Sequence, residues 1–235
     1  MNPVVVLPTY NEAENLREIV SQIHQQPGGF HILIVDDGSP DGTGEIADEL
    51  SGEFPGKVRA LRRTRREGLG QAYVAAFRYA LKLGYDVIVQ MDADLSHSPT
   101  YLPGMLREIE NSDLVLGSRY VRGVNVVNWD LKRLILSKLA TTYTRLVTGM
   151  RFTDLTSGFK CWRRETLEAI GLDRIISNGY LFQIETTYRA HKMKFRIVEV
   201  SIIFYERNFG RSKINFRIIL EALLGVIRLR LKRIG

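Results

Sequence analysis

The first half of the chain alternates short runs of β-branched residues with longer stretches in which apolar residues recur at helical spacing. Apolar side chains at positions 16, 19, 20 and 23, for example, would share one face of a helix. This pattern predicts strands at 4–7, 32–35, 58–61, 87–91 and 114–116, and helices at 12–26, 43–50 and 70–83. Strands separated by helices of this length are typical of βαβ units, so we expect an α/β fold with a mostly parallel sheet flanked by helices.

The second half of the chain is more helical and more basic. Its pattern predicts an amphipathic helix at 129–147, a loop and short strand at 154–162, a helix at 179–191, a strand at 195–205 and a last helix at 216–232. The apolar stretch 218–227 is interrupted by Glu221 and is about half as long as the roughly 20 residues that a membrane span needs. The amino end lacks the basic region of a secretory signal. We therefore expect neither a membrane span nor an export signal.

Composition narrows the class of protein without deciding its partner. Of 235 residues, 45% are hydrophobic and 25% charged, which excludes a disordered, collagen-like or disulfide-stabilised chain. The single cysteine, Cys161, cannot form an internal disulfide. Most of the net charge of +7 comes from residues 206–235, which contain eight basic and two acidic side chains. Such a basic end is typical of proteins that bind nucleic acid, a membrane surface or an anionic ligand.

Chemically reactive side chains cluster where the predicted strands end. The residues that follow four of these strands are 8–12, 36–39, 92–94 and 117–119. Three of these segments carry acidic side chains and the fourth carries Arg119. Because ligands of open parallel sheets bind beyond the carboxyl ends of the strands, we expect the functional site there.

The Asp92-Ala93-Asp94 segment is the strongest candidate for a metal site. Two carboxylates one residue apart at a strand end repel each other unless a cation lies beside them. A hard divalent ion that also contacts substrate phosphates would satisfy this requirement. The alternative is a turn in which an aspartate caps the following helix, but the neighbouring acidic segments favour the metal site.

Three other motifs predict simpler structures. The segment 37–43 imitates a calcium loop, but a strand precedes it and Pro40 interrupts it, so we expect a turn in which Asp37 meets a ligand and Asp41 or Thr43 caps a helix. Gly68-Leu69-Gly70 lacks the spacing of a P-loop. The arginine-rich run 62–66 is predicted to be a solvated loop. The four histidines show neither metal-ligand spacing nor a catalytic pairing.

Several basic residues are candidates for phosphate recognition. Arg133 and Ser137 lie four residues apart on the predicted amphipathic helix and so share a face. Arg207 and Lys213 flank a polar, glycine-containing loop. Guanidinium and ammonium groups that converged from Arg119 and these positions would suit a phosphate, although each alone is typical of a surface charge.

Taken together, these motifs resemble glycosyltransferase family 2 enzymes with a GT-A fold, and among them the polyprenyl (dolichyl) phosphate mannosyltransferases. The resemblance runs from position 4 to about 213. It rests on the segments 7–12, 35–43, 91–97, 117–120, 129–133, 154–159 and 210–213, which read LPTYNE, VDDGSPDGT, MDADLSH, GSRY, WDLKR, DLTSGF and GRSK. The first three mark the broad family, and the later basic segments point to the enzymes that act on lipid phosphates.

The resemblance implies a role for individual positions. The nucleotide of a sugar-nucleotide donor would be held by Pro8, Tyr10, Glu12, Val35 and Asp37, with Asp92, Ala93, Asp94, Arg119, Arg207 and Lys213 completing the donor site. Asp92 and Asp94, with Ser96, would hold Mg²⁺ or Mn²⁺. Arg119, Arg133 and Ser137 would bind the acceptor phosphate, so that Asp92, Asp94, Arg119 and Arg133 form the catalytic set. Asp154 would lie near the acceptor side without a direct role.

The implied reaction is an inverting, metal-dependent transfer of mannose from GDP-mannose to a polyprenyl or dolichyl phosphate. The alternative donor is UDP-glucose or another sugar nucleotide. A non-catalytic nucleic-acid-binding protein is the remote alternative, but it leaves the acids after the strands unexplained, so we expect no nucleic-acid partner. A phosphate with a second pKa of about 6 is already anionic near pH 7, so the acceptor needs no strong general base.

The same resemblance divides the chain. Residues 1–213 would form the GT-A catalytic domain, with a donor half at about 1–120 and an acceptor half at about 121–213. Residues 214–235 would form a basic amphipathic helix that either lies on a membrane surface or packs on the domain. The protein would then be cytoplasmic and peripheral on the cytosolic face of a membrane, reaching its lipid directly or through a separate membrane-anchoring protein.

Overall fold

A seven-stranded sheet forms the centre of the molecule. The computed structural model describes residues 1–175, 177–206 and 216–231, and in the last of these ranges it describes side chains from residue 223 onward. The strands of this sheet are β1 (Pro3–Thr9), β2 (His31–Asp36), β3 (Val58–Arg62), β4 (Val87–Gln90), β5 (Leu114–Ser118), β7 (Lys160–Arg163) and β8 (Ile197–Ser201). Two short strands, β6 (Val126–Val127) and β9 (Phe204–Tyr205), pair separately.

The described helices are α1 (Ala13–His24), α2 (Thr43–Glu53), α3 (Leu69–Lys82), α4 (Leu102–Glu108), α5 (Leu131–Thr148), α6 (Arg164–Ala169), α7 (Gly179–Lys192) and α8 (Phe216–Leu231). The predicted helices and strands are confirmed except for one strand, with ends that move by a few residues. The pattern missed α4, α6 and β6, which are too short for a periodic pattern to be recognised. The single strand predicted at 195–205 is wrong, because β8 ends at Ser201 and β9 pairs with β6 instead.

The sheet has the strand order β3-β2-β1-β4-β7-β5-β8 and is parallel except for β7. The segment β7 runs antiparallel to both β4 and β5 and lies between them. Neighbouring strands β1 and β4 are parallel, with Val6 opposite Gln90, so the loops after both strands leave the same edge. The tertiary structure thus brings the segments after β1, β2, β4 and β5 to one edge, as the sequence predicted.

Helices cover both faces of the sheet. In β1, Val5 and Leu7 pack into the core beneath α1, α2 and α4, while Val4 and Val6 pack toward α3, α6 and α7. Because both faces are buried, the strand reads as a continuous apolar run rather than an alternating one.

The last helix is attached to this core along one face. Val226 and Leu229 of α8 are buried in a small cluster with Ile184 and Tyr188 of α7. The Tyr143 hydroxyl of α5 donates to the carbonyl oxygen of Leu223 at 2.8 Å. Among the described residues, no helix is both long and apolar enough to span a bilayer.

Candidate active site

Two aspartate side chains shape the turn after β2. Asp36 accepts hydrogen bonds from the backbone N–H groups of Gly38 (3.2 Å) and Ser39 (3.1 Å), so its carboxylate shapes the turn. Asp41 accepts from the backbone N–H of Thr43 at 3.1 Å, but the N-cap residue of α2 is Gly42, so neither Asp41 nor Thr43 occupies the predicted cap position. Asp36 is therefore structural, and Asp37 is left as the acid of this turn that can meet a ligand.

The residues assigned to the nucleotide lie at this edge. Pro8 of β1 pairs with Val35 of β2, and the Val35 side chain is buried in the core, so only its backbone can face a donor. Tyr10 is half-buried, and Glu12 accepts from the Asn15 side chain at 2.8 Å. These positions surround the ends of two adjacent strands, as a nucleotide site of this fold requires.

Residues of the arginine-rich run after β3 lie at this edge of the sheet and contact Asp37 and Tyr10. Arg63 pairs with Asp37 and with Glu67, and only 12% of its side chain is exposed. The Arg66 guanidinium lies 3.9 Å from the centre of the Tyr10 ring. Burial raises the pKa of Asp37 even though the Arg63 charge opposes that shift. The prediction of a solvated loop is therefore wrong for Arg63, because its charge is matched by a buried carboxylate 26 residues away.

The segment after β4 carries the two acids of the candidate metal site. The Tyr73 hydroxyl, which is buried on α3, donates to Asp92 Oδ1 at 3.2 Å. Asp94 is nearly buried and accepts from the Ser96 backbone N–H at 3.1 Å. Leu95, which lies between Asp94 and Ser96, has a φ of +62°. This left-handed conformation turns the Ser96 N–H back toward Asp94. Ala93 packs in the core, so only its backbone is available to a donor.

These residues fit a divalent cation that is shared with a substrate. The Ser96 hydroxyl oxygen is buried and has no hydrogen-bond partner among the described residues, as expected of an oxygen that awaits a ligand. Asp92 and Asp94 supply hard carboxylate oxygens beside it. Within the described parts of the chain, no cluster of three or more His, Cys, Asp or Glu side chains could hold a metal by itself. A cation at Asp92 and Asp94 would therefore need oxygen atoms from a bound phosphate.

His97 is a site residue that the sequence interpretation missed. Its ring is fully buried and packs 5.1 Å from Phe159 and 5.0 Å from Phe204, measured between ring centres. Burial lowers the pKa of His97, although the charges of Asp92 and Asp94 oppose the shift, so the ring is neutral near pH 7. Its Nδ1 accepts from the Asp92 backbone N–H at 3.4 Å. One indication in the sequence that His97 belongs to the site is its position three residues after Asp94.

Arg119 forms a buried ion pair with Asp154. The Nε and Nη2 atoms of Arg119 donate to the two carboxylate oxygens of Asp154 at 2.6 and 2.7 Å, and Nη2 also donates to Thr156. Burial by itself would lower the pKa of Arg119 and raise that of Asp154, but the mutual attraction outweighs it and both groups stay charged. Asp154 is thus the counter-ion of Arg119, a role that the resemblance did not supply.

Arg133 and Ser137 project from consecutive turns of α5. The side chain of Asp130 caps this helix by accepting from the Lys132 backbone N–H at 3.2 Å. Arg133 pairs with Glu206, which follows β9. The Ser137 hydroxyl accepts from the Tyr120 hydroxyl at 2.8 Å.

One pocket, here called the central pocket, joins these groups. Its polar end is lined by Asp92, His97, Arg119, Arg133, Ser137 and Thr156, and it opens along apolar side chains of α5, α7 and α8 that include Leu136, Ala140, Ile184, Leu223 and Val226. About 140 Å³ of it is open to the centre of a water molecule. Gly158 also lines it, and an added Cβ there would lie 3.2 Å from Asp92 Oδ2, so a side chain would crowd the carboxylate.

The structure therefore brings together most, but not all, of the predicted site. Asp92, Arg119, Arg133 and Ser137 share the central pocket. Tyr10, Glu12 and Asp37 lie at the neighbouring edge formed by β1 and β2. Arg207 and Lys213 lie outside the described residues, so their predicted contacts with donor phosphates stay predictions.

Comparison with known proteins places the chain in a family. Residues 4–171 match the model of Glycosyl transferase family 2. The chain is 48% identical to polyprenol monophosphomannose synthase of Mycolicibacterium smegmatis, over 98% of this chain and 89% of that protein. It is 45% identical to undecaprenyl-phosphate mannosyltransferase of Micrococcus luteus (97% and 93%) and 39% identical to dolichol-phosphate mannosyltransferase of Pyrococcus furiosus (97% and 64%).

Solved structures agree on the fold. Glucosyl-3-phosphoglycerate synthase from Mycobacterium tuberculosis, in complex with Mn²⁺, UDP and glucosyl-3-phosphoglycerate, superposes with a TM-score of 0.70 at 20% identity, covering 100% of this chain and 80% of that one. A mannosyltransferase from Pyrobaculum calidifontis in complex with GDP-Man and Mn²⁺ gives 0.61 at 21% identity, covering 90% and 58%. With this fold, the acids at the sheet edge and these relatives, the chain belongs to glycosyltransferase family 2.

Proposed function

We propose that this enzyme transfers mannose from GDP-mannose to the phosphate of a polyprenyl or dolichyl lipid, with a divalent cation and with inversion at the anomeric carbon. The observation that carries the proposal is the central pocket, which is polar at Asp92, Arg119 and Arg133 and apolar between α5, α7 and α8. A lipid phosphate matches this division, because its anionic head suits the polar end of the pocket and its hydrocarbon chain suits the apolar end. The three relatives, each named for a mannosyl product or transfer on a polyprenyl lipid, support the sugar and the lipid acceptor.

The polar end of the pocket would hold the acceptor phosphate. Arg119 is charged and fixed by Asp154, and Arg133 reaches the same space from α5. Guanidinium groups offer planar pairs of donors that match phosphate oxygens. The two arginines would thus place a phosphate oxygen beside the anomeric carbon of the sugar, which is the main requirement for a nucleophile that is already anionic.

No general base is needed at this position. In the neutral ring of His97, Nδ1 accepts the Asp92 N–H and the other nitrogen carries the proton, so no basic nitrogen is left to remove a proton from the acceptor. The second pKa of a phosphate monoester is about 6, so the acceptor oxygen carries its charge before it arrives. Attack from the face opposite the nucleoside diphosphate would invert the α-mannosyl centre and give a β-mannosyl phosphate.

Asp92 and Asp94 would bind the donor through a divalent cation, with Ser96 as a third oxygen ligand. A bound Mg²⁺ or Mn²⁺ would supply positive charge to the pyrophosphate oxygens as the nucleoside diphosphate leaves. The Tyr73 hydroxyl would hold the Asp92 carboxylate in place from the core side.

The exposed surface of α5 and α8 fits an enzyme that takes its acceptor from a bilayer. On α5, Leu131, Ile135 and Leu139 recur every fourth residue and are 66%, 49% and 60% exposed. On α8, Leu224, Ile227 and Leu231 form a second exposed stripe, and Arg228 and Arg230 are exposed beside it. Apolar stripes flanked by basic residues are typical of helices that lie in a membrane interface. We therefore include a membrane surface among the partners of this enzyme.

A transfer assay tests the proposal. Purified enzyme with polyprenyl phosphate and Mg²⁺ or Mn²⁺ should convert radiolabelled GDP-mannose into a mannosyl phospholipid, and chelation should abolish the product. Asp94→Asn should lower kcat/KM at least a hundredfold without lowering the unfolding temperature, because it removes a charge that the cation needs. Turnover of UDP-glucose but not GDP-mannose would contradict the donor assignment. Metal-independent transfer by Asp94→Asn would contradict the metal site.

A further inference from the structure

The Trp129 ring contacts both arginines of the central pocket. The Arg133 guanidinium carbon is 4.3 Å from the centre of its ring, and the Arg119 guanidinium carbon is 5.1 Å from it. Both distances are within the range of cation–π attraction. Trp129 also packs edge-on against Phe204 at 5.3 Å, and Arg119 lies 5.5 Å from that same phenylalanine ring.

The backbone that leads into α5 helps to fix this tryptophan. Asn128 has a φ of +60°, so the chain turns sharply between β6 and the helix. The neighbouring strand is tied down because the Glu206 N–H donates to the Val127 carbonyl at 3.1 Å. The β6–β9 pair thus places Trp129, Phe204 and Glu206 around the two guanidinium groups.

Trp129 contacts its neighbours through its aromatic ring and not through its indole N–H. The Trp129 Nε1 atom is buried and has no hydrogen-bond partner among the described residues. Each arginine has its own carboxylate, Asp154 for Arg119 and Glu206 for Arg133. The π-face of Trp129 is the contact that both cations share.

We infer that Trp129 is a positioning residue of the acceptor-phosphate site, a shared platform that sets the orientation of Arg119 and Arg133 toward one phosphate. This inference rests on the proposed function, because it takes the central pocket as the place where the lipid phosphate binds. Asp154 and Glu206 neutralise the two cations separately, and the electron-rich ring that both contact keeps Arg133 beside Arg119, available to the same anion.

Substitution kinetics test the inference. Trp129→Leu keeps apolar bulk but removes the π-system, so the KM for polyprenyl phosphate should rise about tenfold while the KM for GDP-mannose and the unfolding temperature stay near wild type. Trp129→Phe keeps an aromatic face and loses no hydrogen bond among the described residues, so it should restore most of the acceptor affinity. The inference is overturned if Trp129→Leu leaves the acceptor KM unchanged, or if it raises both KM values together with a loss of stability.

Trp162 provides the matched control. Its ring is buried against Phe77, and it does not line the central pocket. Trp162→Phe should lower the unfolding temperature without changing the acceptor KM, which separates general destabilisation from an effect on the site.

A binding measurement distinguishes this inference from the proposed function. The chain has two tryptophans, so Trp162→Phe leaves Trp129 as the single indole fluorophore. Adding polyprenyl phosphate should change its emission, whereas the same polyprenol without phosphate should not, whatever the sugar donor is. Equal responses to the two lipids would overturn the placement of Trp129 beside the phosphate. Failure to turn over GDP-mannose, with the phosphate-dependent response intact, would count against the proposed donor alone.

Discussion

At the scale of single residues, the most constrained interaction in the site is the buried ion pair of Arg119 and Asp154. Asp154 has essentially no exposed surface and also accepts from the Arg119 backbone N–H at 3.2 Å. A buried pair of this kind is costly to break, because the remaining charge has neither water nor a partner. It therefore keeps Arg119 charged and fixed in the wall of the central pocket.

Asp154→Ala should destabilise the protein by about 3–5 kcal/mol, because it leaves the Arg119 guanidinium buried without a counter-charge. The free energy of unfolding from urea titration measures this. The stabilising effect of Asp154 should be complete above the unfolded pKa of about 3.9 and be lost as the pH falls through the lower pKa of the folded state.

The matched control for Asp154 is Glu53→Gln. Glu53 pairs with Arg17 at 3.0 Å on the surface, where both side chains are about half exposed, so its loss should leave the unfolding midpoint unchanged. Equal effects of the two substitutions would contradict the special role of the buried pair.

The residue scale is also where the sequence was least informative about contacts. The motif identified Asp92 and Asp94 correctly as neighbours at a strand end, because their spacing and the preceding strand are local features. The partners Asp154 for Arg119 and Asp37 for Arg63 are 35 and 26 residues away along the chain. Nothing in local periodicity says which distant carboxylate will lie opposite a given arginine.

At the scale of elements, α8 is attached through a close approach to α7. Gly225 faces Leu181, and a Cβ at Gly225 would lie 2.3 Å from Leu181 Cδ2. This contact lets Val226 and Leu229 reach the buried cluster of α7, while Leu223 and Val226 form part of the pocket wall. One face of the last helix therefore packs on the domain, while its other face is exposed.

Gly225→Leu should displace α8 and widen the apolar end of the central pocket. We expect a loss of about 1–3 kcal/mol in the free energy of unfolding, as for other overpacked sites, and a several-fold higher KM for the lipid acceptor. Gly52→Leu is the control, because Gly52 on α2 has no atom within 4 Å of the position of a Cβ. Wild-type acceptor kinetics in Gly225→Leu would show that α8 is not part of the acceptor site.

At the scale of the whole molecule, charge and exposed apolar surface coincide on the second half of the chain. The apolar stripes of α5 and α8 lie among exposed basic residues such as Lys132, Lys138 and Arg228. Exposed basic side chains beside apolar stripes suit contact with an anionic bilayer. The residues proposed to bind the metal and the nucleotide, Asp92, Asp94 and those after β1 and β2, lie in the other half, at the edge of the sheet.

The double substitution Leu139→Glu and Leu231→Glu should weaken binding to vesicles that contain anionic lipid about tenfold, because it places negative charge in both exposed stripes. Vesicle sedimentation at several salt concentrations measures the binding. Leu83→Glu, at an exposed leucine that follows α3, should bind vesicles like the wild type. Undiminished binding by the double variant would exclude these stripes as the membrane contact.

The sequence by itself determined the alternation of strands and helices and the acids at the strand ends, because both are local features, and its motifs carried the resemblance to the family. The tertiary structure alone decided that β7 enters the sheet antiparallel, that Asp154 neutralises Arg119, and that α5, α7 and α8 enclose an apolar groove. These features depend on contacts between segments far apart in the chain. Local periodicity determines which face of an element is apolar, but the packing of the whole molecule determines what that face meets.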